Sequence, residues 1–449
     1  MQTSHAPKTP PKNRIPQDLR VLLVGGGGRE HALAIALKQS KSVRALFTTH
    51  PSNPGIKGIA QPMDHELDLG NLTRVASFCD RERINLVVVG PEGPLEGGIV
   101  DELSSADRAV FGPTKAGAQI EADKAFAKQL MRSASIPTAD ARVVHTFQEA
   151  KAYIDSREEP PVVKASGLAA GKGVVVAKTK DEALDAARAM MVDKRFGDAG
   201  ATLVLEERMT GPEVSVFALV DGHTILTLDV CQDYKRLLDD DRGPNTGGMG
   251  AICPSPRADA RFVERIERDI IVPTVDALRR EGITYRGVLY AGLMLTHAGP
   301  KVVEFNCRFG DPEAQVLLQR LAGDVGRVCY ACAVGGMANL EAKDLSFRDG
   351  AACTVVLASE GYPEKPVTGV PIEGIEEAEA ISGVTVHHAG TARKDGQIVT
   401  AGGRVLNVTA FAEDAERARE LAYEGASKIS FAGMQMRTDI GALKPSPVH

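Results

Sequence analysis

The sequence predicts a multidomain protein of α/β and α+β class, and three observations carry that prediction. A short apolar run, Arg20–Val24, leads into four consecutive glycines, Gly25–Gly28, and then into a helical pattern from His31. This is how a βα unit of a doubly wound sheet opens. Further along, two apolar runs, Val162–Ala165 and Val174–Ala177, are joined by a glycine-rich connection, the pattern of an antiparallel hairpin. The final stretch is rich in strands, with Cys353–Ala358, Val384–His388 and Arg404–Thr409 before an amphipathic helix over Ala412–Lys428. With 449 residues the chain is well past the roughly 250–300 at which one hydrophobic core stops growing, so several such units are required.

The first unit spans residues 19–120. Its buried strands include Val43–Thr48 and Leu86–Val89, the latter ending at Gly90-Pro91-Glu92, and ligands bind at such carboxyl ends in open α/β sheets. A second region, 121–345, starts with a helix over Lys124–Arg132. The hairpin, a helix at Asp181–Met191 and a strand at Thr202–Glu206 then make a small α+β unit over residues 140–212. Glu213–Leu219, Leu289–Leu295 and Val302–Asn306 read as strands of a larger sheet. Residues 346–449 form the strand-rich last unit. Residues 1–18, rich in Pro, Lys, Thr and Ser, read as a disordered leader, with an organelle transit peptide as the other reading. About twenty residues follow the last helix, too few for an appended domain.

Composition removes several function classes. A hydrophobic fraction of 43%, a charged fraction of 25% and a formal net charge of −6 give no reason to expect nucleic acid or an anionic membrane as partner. No run of 18 apolar residues exists to span a bilayer. The seven cysteines are odd in number and scattered, with no secretory segment before them, so reduced thiols in a cytoplasmic protein are expected. Cys329 and Cys332 form a lone CxxC inside a helical pattern, and without a second pair they do not make a metal site.

The glycine loops carry the first chemistry. Gly25-Gly26-Gly27-Gly28-Arg29-Glu30 lies between strand and helix as a dinucleotide fingerprint does, yet Glu30 takes the place of the third glycine. The next strand ends in Thr48-Thr49-His50-Pro51, with no acid for a ribose hydroxyl. What remains is a helix N-terminus whose free amides suit a single sugar phosphate, or glycines that only turn the chain. The second loop, Gly167-Leu-Ala-Ala-Gly171-Lys172-Gly173, has one residue too few for a P-loop, and Gly173 stands where Ser or Thr would hold magnesium. Lying between two strands, it reads as a flap whose amides cover a triphosphate, with Lys164 on the preceding strand neutralising charge; a plain flexible hairpin is the alternative.

Two further segments are polar where a core would not be. In Lys301-Val-Val-Glu304-Phe-Asn306-Cys-Arg308, the period of two puts Glu304 and Asn306, and with them Arg308, on one face. A carboxylate and an amide oxygen are hard donors that suit Mg²⁺, although a solvent-facing edge strand would look the same. Asp311 and Glu313 lie just beyond. Asp233-Tyr-Lys235-Arg236 followed by Gly243-Pro-Asn245-Thr246-Gly247-Gly248-Met249-Gly250 reads as a long surface loop with two basic side chains and a run of amides, which favours anionic substrate.

Together these segments resemble the phosphoribosylamine–glycine ligases, or glycinamide ribonucleotide synthetases, of the ATP-grasp superfamily. The resemblance runs over nearly the whole chain. It rests on Gly25-Gly-Gly-Gly-Arg-Glu-His-Ala, Asn53-Pro-Gly, Gly90-Pro-Glu, Phe111-Gly-Pro and Lys164-Ala-Ser-Gly-Leu-Ala-Ala-Gly-Lys-Gly. The most specific segments are Gly243-Pro-Asn-Thr-Gly-Gly-Met-Gly, Leu289-Tyr-Ala-Gly-Leu-Met and Glu304-Phe-Asn-Cys-Arg-Phe-Gly-Asp-Pro-Glu. It implies an N-terminal α/β domain, an ATP-grasp lid and central domain, and a C-terminal domain like that of biotin carboxylase. The implied reaction is ATP-dependent ligation of glycine to 5-phosphoribosylamine through glycyl phosphate, in purine synthesis, with Mg²⁺ or Mn²⁺, by a cytoplasmic monomer or weak homo-oligomer.

By position, the resemblance implies that Lys124, Lys164 and the Gly171-Lys172-Gly173 flap meet the phosphates. Glu206, Glu207 and Met209 line the adenine, Glu213 the ribose, and Glu304 and Asn306 bind the metal. Gly27, Asn53, Gly90, Glu92, Lys235, Arg236, Asn245, Gly248, Arg308 and Asp311 enclose the two small substrates, with Arg308, Lys235 and Asp311 nearest the chemistry. Four positions depart from the family pattern: Ser52 for Gly, Asp123 for a small residue, Ser166 for Asp and Tyr234 for His. The strand Leu289–Leu295 also lacks the second metal carboxylate common in the superfamily. A related carboxylate–amine ligase is the competing enzyme reading. A nucleotide-binding regulator with a decayed site is the non-enzymatic one, and the presence of Lys164, Glu304, Asn306 and Arg308 speaks against it.

Overall fold

The computed structural model describes residues 15–65, 67–169 and 172–442. Gly171 and residues 1–14 of the expected leader lie outside that range. Ile15 packs against the apolar cluster that contains Leu19 and Val21, and the Asp18 carbonyl accepts from Asn85 Nδ2 at 3.1 Å. The packed chain therefore begins a few residues before the expected boundary.

The first sheet is parallel, built from β1 (Leu19–Val24), β2 (Val43–Thr48), β3 (Gln61–Pro62), β4 (Leu86–Val89) and β5 (Ala109–Phe111) in the order β3-β2-β1-β4-β5. Period-two alternation splits its side chains between two cores: Leu22, Val24, Val87 and Val89 face one, Leu19, Val21, Leu23 and Val88 the other. Both cores continue into a second, antiparallel sheet, where Val214, Val216 and Ala218 join the first cluster and Phe217 and Leu219 the second. Sharing cores on both faces joins these two sheets into one packed body.

Between them in sequence lies a sheet of its own, in the order β6-β9-β7-β8, made of β6 (Ala141–Val144), β7 (Val162–Ala165), β8 (Val174–Val176) and β9 (Leu203–Glu206). β7 and β8 pair antiparallel around the glycine-rich connection, as their spacing predicts. Val163, Ala165, Leu203 and Leu205 form a separate small core with Ala183, Ala187 and Met190 of the helix Lys180–Met191. A unit with its own core can shift relative to its neighbours without opening theirs.

The second sheet runs β11-β10-β16-β17, from β10 (Glu213–Val220), β11 (Ile225–Thr227), β16 (Gly287–Thr296) and β17 (Gly299–Asn306). Residues 233–250, expected as a long loop, are instead largely paired. β12 (Gln232–Asp233) and β15 (Gly250–Cys253) enter a third sheet, while β13 (Arg236–Leu238) and β14 (Arg242–Asn245) form a hairpin between them. The partner that orders β15 is β20 (Ala351–Ala358), about a hundred residues downstream. A local reading of a Gly- and Asp-rich stretch carries no signal for so distant a pairing.

Beyond a ribbon of β18 (Leu321–Gly323) and β19 (Leu345–Phe347), the third sheet takes the order β12-β15-β20-β24-β21. It includes β21 (Val384–His388) and β24 (Arg404–Ala412), with the helix Ala415–Ala426 on one face and a ribbon of β22 (Thr391–Lys394) and β23 (Gln397–Thr400) beside it. Cys329 and Cys332 lie buried in the helix Val325–Val334, and the Cys332 thiol donates to the Val220 carbonyl at 3.1 Å. All seven cysteines are buried free thiols. Among the described residues no helix is long and apolar enough to cross a membrane.

The helix Gly28–Gln39 meets β21 through three buried histidines. His31 Nδ1 accepts from the His388 backbone at 2.9 Å, with the His387 and His388 rings 5.8 and 5.6 Å from the His31 ring. Burial pushes all three pKa values down, to about 3 for His387 against the opposing pull of Asp311, and to about 4 for His388. In the unfolded chain each takes up a proton near pH 6.5, while the folded rings stay neutral to much lower pH. The unfolded state therefore binds more protons, and stability falls as pH drops from 6.5 towards 4, by up to about 1.4 kcal/mol per pH unit for each histidine. Thermal midpoints measured across that window should show this slope, and His387→Gln should reduce it; an unchanged slope would mean that His387 does not contribute.

Candidate active site

A cleft of about 740 Å³ opens between the hairpin sheet and the second sheet, and it reaches the carboxyl end of the first sheet at Glu92. At its inner end Lys164, buried on β7, donates to Glu206 Oε2 at 2.9 Å and to the Val303 carbonyl at 3.1 Å. Lys128 holds the other carboxylate oxygen of Glu206 at 3.2 Å. Burial lowers the Lys128 ammonium to about 8 even with Glu206 opposing. Glu206 thus spends its charge on two lysines. Glu207 accepts from Lys301 at 2.9 Å and from the Asp140 backbone at 3.1 Å. Met209, Glu213 and Gly173 line the same part of the cleft, while Lys172 is exposed at the turn and does not. Burial raises the Glu213 carboxyl, opposed by Lys235.

Lys124 starts the helix Lys124–Ser133, which Asp123 caps by accepting from the amides of Ala125 (3.0 Å) and Phe126 (3.2 Å). Ser166 Oγ donates to that same Asp123 oxygen at 2.6 Å and accepts from Ala125 N at 2.9 Å, while the Ser166 carbonyl takes the Lys124 N–H at 2.9 Å. Two of the departures in the sequence are therefore partners: a carboxylate and a hydroxyl that together fix the start of the Lys124 helix to the root of the flap. Lys124 Nζ donates to the Gly167 carbonyl at 3.3 Å, and burial lowers its pKa, against the pull of Glu304.

Glu304 and Asn306 lie on β17, facing these lysines across the cleft. The Glu304 carboxylate accepts no hydrogen bond from the described residues. Burial pushes its pKa up, but Lys235, Lys164, Lys124 and Arg308 prevail and hold it below the ordinary value. Asn306 Oδ1 accepts from Arg308 Nη2 at 3.1 Å, which leaves it a second lone pair. Two hard oxygens with spare lone pairs fit a divalent cation of the Mg²⁺ type.

At the outer end Arg308 is shared by two carboxylates, with Nη2 to Glu121 Oε1 at 2.6 Å and Nε to Glu92 Oε2 at 3.2 Å. Glu121 also accepts from the Cys307 backbone at 2.8 Å. Burial raises the Glu121 carboxyl despite Arg308, whereas at Glu92 the pull of Arg308 and Arg29 outweighs burial. Asp311 is held below the ordinary range, burial notwithstanding, by Arg404 and Arg29; Arg404 Nη2 lies 3.2 Å from Asp311 Oδ2. Lys235 donates to Asp233 at 2.5 Å, and behind that pair Ser215, Tyr290 and Glu313 form a buried hydrogen-bonded group, with Tyr290 Oη 3.0 Å from Glu313 Oε1. Arg236 and Asn245 line the cleft from the hairpin.

Four expected substrate contacts have other work. Asn53 is saturated: its Nδ2 donates to the Gly26 and His388 carbonyls, and its Oδ1 accepts from Gly55 and Ile56, capping the helix Pro54–Ile59. The Gly27 amide is taken by Glu30 Oε2 at 2.6 Å, so the helix terminus read as a phosphate site already holds a carboxylate. Gly90 is where a side chain would collide with Glu30, and Gly248, at φ +115°, is where one would meet Pro312. None of the four lines the cleft. Conversely, Arg29, Glu121, Lys128, Asp233 and Arg404 do, and sequence reasoning passed over them. Glu121 and Lys128 carried one usable signal, a charge on the apolar side of a helical pattern. Arg404, the first residue of β24, carried none.

A lysine-lined cleft beneath a hairpin with its own core, opposite a Glu-x-Asn strand, defines an ATP-grasp fold. The comparisons agree: the phosphoribosylglycinamide synthetase N domain matches residues 19–121, the ATP-grasp (A) domain of the same enzyme 122–314 and its C domain 352–443. The chain belongs to the phosphoribosylglycinamide synthetase family. It is 49% identical over 426 residues to a phosphoribosylamine–glycine ligase from Rhodopirellula baltica, covering 94% of this chain and 96% of that one. It is 48% identical to the trifunctional purine biosynthetic protein adenosine-3 of Gallus gallus, covering 94% of this chain but only 42% of that longer protein. The crystal structure of the phosphoribosylamine–glycine ligase from Thermotoga maritima superposes with a TM-score of 0.78 at 33% identity, over 94% of this chain and 100% of that one. A biotin carboxylase domain from Hydrogenobacter thermophilus shares the fold, with a TM-score of 0.70 at 18% identity over 94% of this chain and 92% of that one. The fold class read from the sequence holds.

The Asp123–Ser166 pair yields a test. Asp123→Ala should cost about 1 kcal/mol of stability through the lost cap. A double-mutant cycle with Ser166→Ala should show coupling of at least about 0.5 kcal/mol, and the exchanged pair Asp123→Ser/Ser166→Asp should bind ATP better than either exchange alone. Additive effects in thermal unfolding and nucleotide titration would dissolve the pair.

Proposed function

We propose that this chain catalyses the ATP-dependent ligation of glycine to 5-phosphoribosylamine, giving glycinamide ribonucleotide, ADP and phosphate, as a step of de novo purine synthesis. The observation that carries this reading is the Glu304 carboxylate, hydrogen-bonded by none of the described residues and faced by Lys124, Lys164, Lys235 and Arg308. That arrangement suits a polyphosphate and a cation, and the chain's ligase relatives supply the substrates.

A carboxylate does not lose oxide to an amine, so the glycine carboxylate first attacks the γ-phosphorus of ATP. ADP leaves, and glycyl phosphate forms. The phosphoribosylamine nitrogen then attacks the acyl carbon, phosphate leaves, and the nitrogen gives up a proton. No enzyme nucleophile takes part, so the protein's contribution is positioning and charge. Lys124, Lys164 and the Gly171–Gly173 flap neutralise and cover the phosphates. The Glu206–Met209 segment meets adenine through its backbone, and Glu213 holds the ribose. A divalent cation, Mg²⁺ or Mn²⁺, would be held by Glu304 and Asn306 and would supply further neutralisation of phosphate charge. Arg308, held in place by Glu92 and Glu121, orients the glycine carboxylate with Lys235 and Asp311 beside it, and Arg236 and Asn245 face the sugar phosphate. Closure of the hairpin unit would keep water from the acyl phosphate.

The working division of the chain is 19–120 for the N-terminal domain, 121–345 for the ATP-grasp region with its lid over 140–212, and 346–449 for the C-terminal domain. We place the protein in the cytoplasm as a monomer or weak homo-oligomer with small-molecule substrates only.

Release of ADP should require both glycine and freshly generated phosphoribosylamine; release that ignores either substrate would refute this reaction. Glu304→Gln should lower turnover by about 10²–10³-fold with little change in thermal midpoint, because the carboxylate has no hydrogen bond to lose among the described residues. Chelation should abolish turnover, with restoration by Mg²⁺ or Mn²⁺.

A further inference from the structure

We propose that Arg437 is a positioning residue for the substrate end of the cleft, acting through residues 437–441, which strap down the hairpin that carries Arg236 and Asn245. This rests on the reaction proposed above for its substrate, and on the geometry alone for the rest.

The hairpin β13–β14 has almost no core of its own. Leu238 is 49% exposed, Asn245 is exposed, and the strand register breaks between Arg236 and Leu238. A lone two-stranded ribbon is marginal in water, yet this one presents Arg236, Asp241 and Asn245 to the cleft. Much of what holds it comes from near the other end of the chain.

Arg437 is 1% exposed, in a segment without regular secondary structure. Its fork meets both Asp439 oxygens at 2.7 and 2.8 Å, while Nη1 donates to Asp241 Oδ1 at 2.8 Å and to the carbonyl of Arg236 itself at 3.2 Å. The guanidinium sits 5.2 Å from the ring centroid of Tyr234. Next to it, the Thr438 backbone and hydroxyl both donate to Asp239, at 2.8 and 2.6 Å, and Asp439 accepts from Asp240 N at 3.0 Å. Each residue of the Asp239–Asp241 turn is thereby engaged, Asp239 and Asp241 through their carboxylates and Asp240 through its backbone N–H.

The strap is itself anchored from behind. Tyr423 Oη donates to the Arg437 carbonyl at 2.9 Å and accepts from Ile440 N at 3.0 Å, and Arg419 Nε donates to the Ile440 carbonyl at 3.0 Å. Tyr234, one of the departures noted in the sequence, also belongs to this system, since its hydroxyl accepts from Gly441 N at 3.1 Å. A buried guanidinium is a costly way to fill space. What a planar fork provides that an apolar side chain does not is a fixed angle between several partners at once. Here those partners are the strap, the turn and the backbone of a cleft-lining arginine.

The test uses the full chain. Hydrogen exchange of the free protein should show the amides of residues 236–246 in Arg437→Gln exchanging about tenfold faster or more than wild type, with the lid amides unchanged. In steady-state kinetics the KM for phosphoribosylamine should rise about tenfold while the KM for ATP holds. Arg437→Lys should not restore either, because an ammonium cannot span the same partners. Asp239→Ala, which cuts the strap from the hairpin side, should give the same pattern and replaces Arg437→Gln if that variant does not fold. Unchanged exchange in a folded variant overturns the proposal, as does a KM for ATP that rises in step with that for the amine. Faster exchange with an unchanged KM for the amine overturns its substrate part. Because exchange is read without substrates, a wild-type protein that ignored phosphoribosylamine would refute the assigned reaction while leaving the strap to be decided.

Discussion

The ion pairs of Arg308 are the constraint on which the site depends. Its guanidinium lies between Glu92 at the end of the first sheet, Glu121 on the helix Lys115–Ala122, and Asn306 on the strand that faces the lysines. Each anion is largely withdrawn from water, and a withdrawn carboxylate stays ionised only beside a cation held at close range. Where Arg308 is placed, three parts of the chain are placed with it. The same principle governs the inner end, where Glu206 is spent on Lys164 and Lys128.

Charge compensation of this kind leaves a cleft that is dense with ions yet nearly neutral, and so ready to exchange partners. Lys164 bonds a carboxylate and a carbonyl, both of which phosphate oxygens can replace. Glu304 stands apart because the cations around it hold its pKa down without hydrogen-bonding it. Around this centre the packing differs by role. The first and second sheets share cores on both faces, whereas the flap sheet keeps a core to itself. The body built on shared cores carries Glu304 and Asn306, and the flap sheet brings Lys164 and Glu206 to face them.

The strand ends, the flap and the Glu304–Asn306 pair were legible because each is a local pattern: an apolar run of strand length, glycines between two strands, a polar alternation on an edge. The loops at Gly27, Asn53, Gly90 and Gly248 were legible as special, while their contacts within the protein were not. A glycine that admits a ligand and a glycine that admits a neighbouring Glu30 or Pro312 leave the same mark in a sequence. The same holds for Asn53, whose amide is saturated by carbonyls and amides from three segments. Asp123 and Ser166 looked like two separate departures and prove to be one hydrogen-bonded pair.

By itself, then, the sequence determined the elements, their class and the chemical types gathered for the reaction, because apolar periodicity and glycine punctuation act over a few residues. Tertiary structure alone decided which charges meet. The pairing of β15 with β20, the reach of Arg404 to Asp311 and of Arg437 to the hairpin, and the sharing of Arg308 between Glu92 and Glu121 all join residues about 90 to 220 positions apart. Desolvation makes such pairings obligatory once the chain is folded, but nothing in the local sequence says which anion a given cation will find.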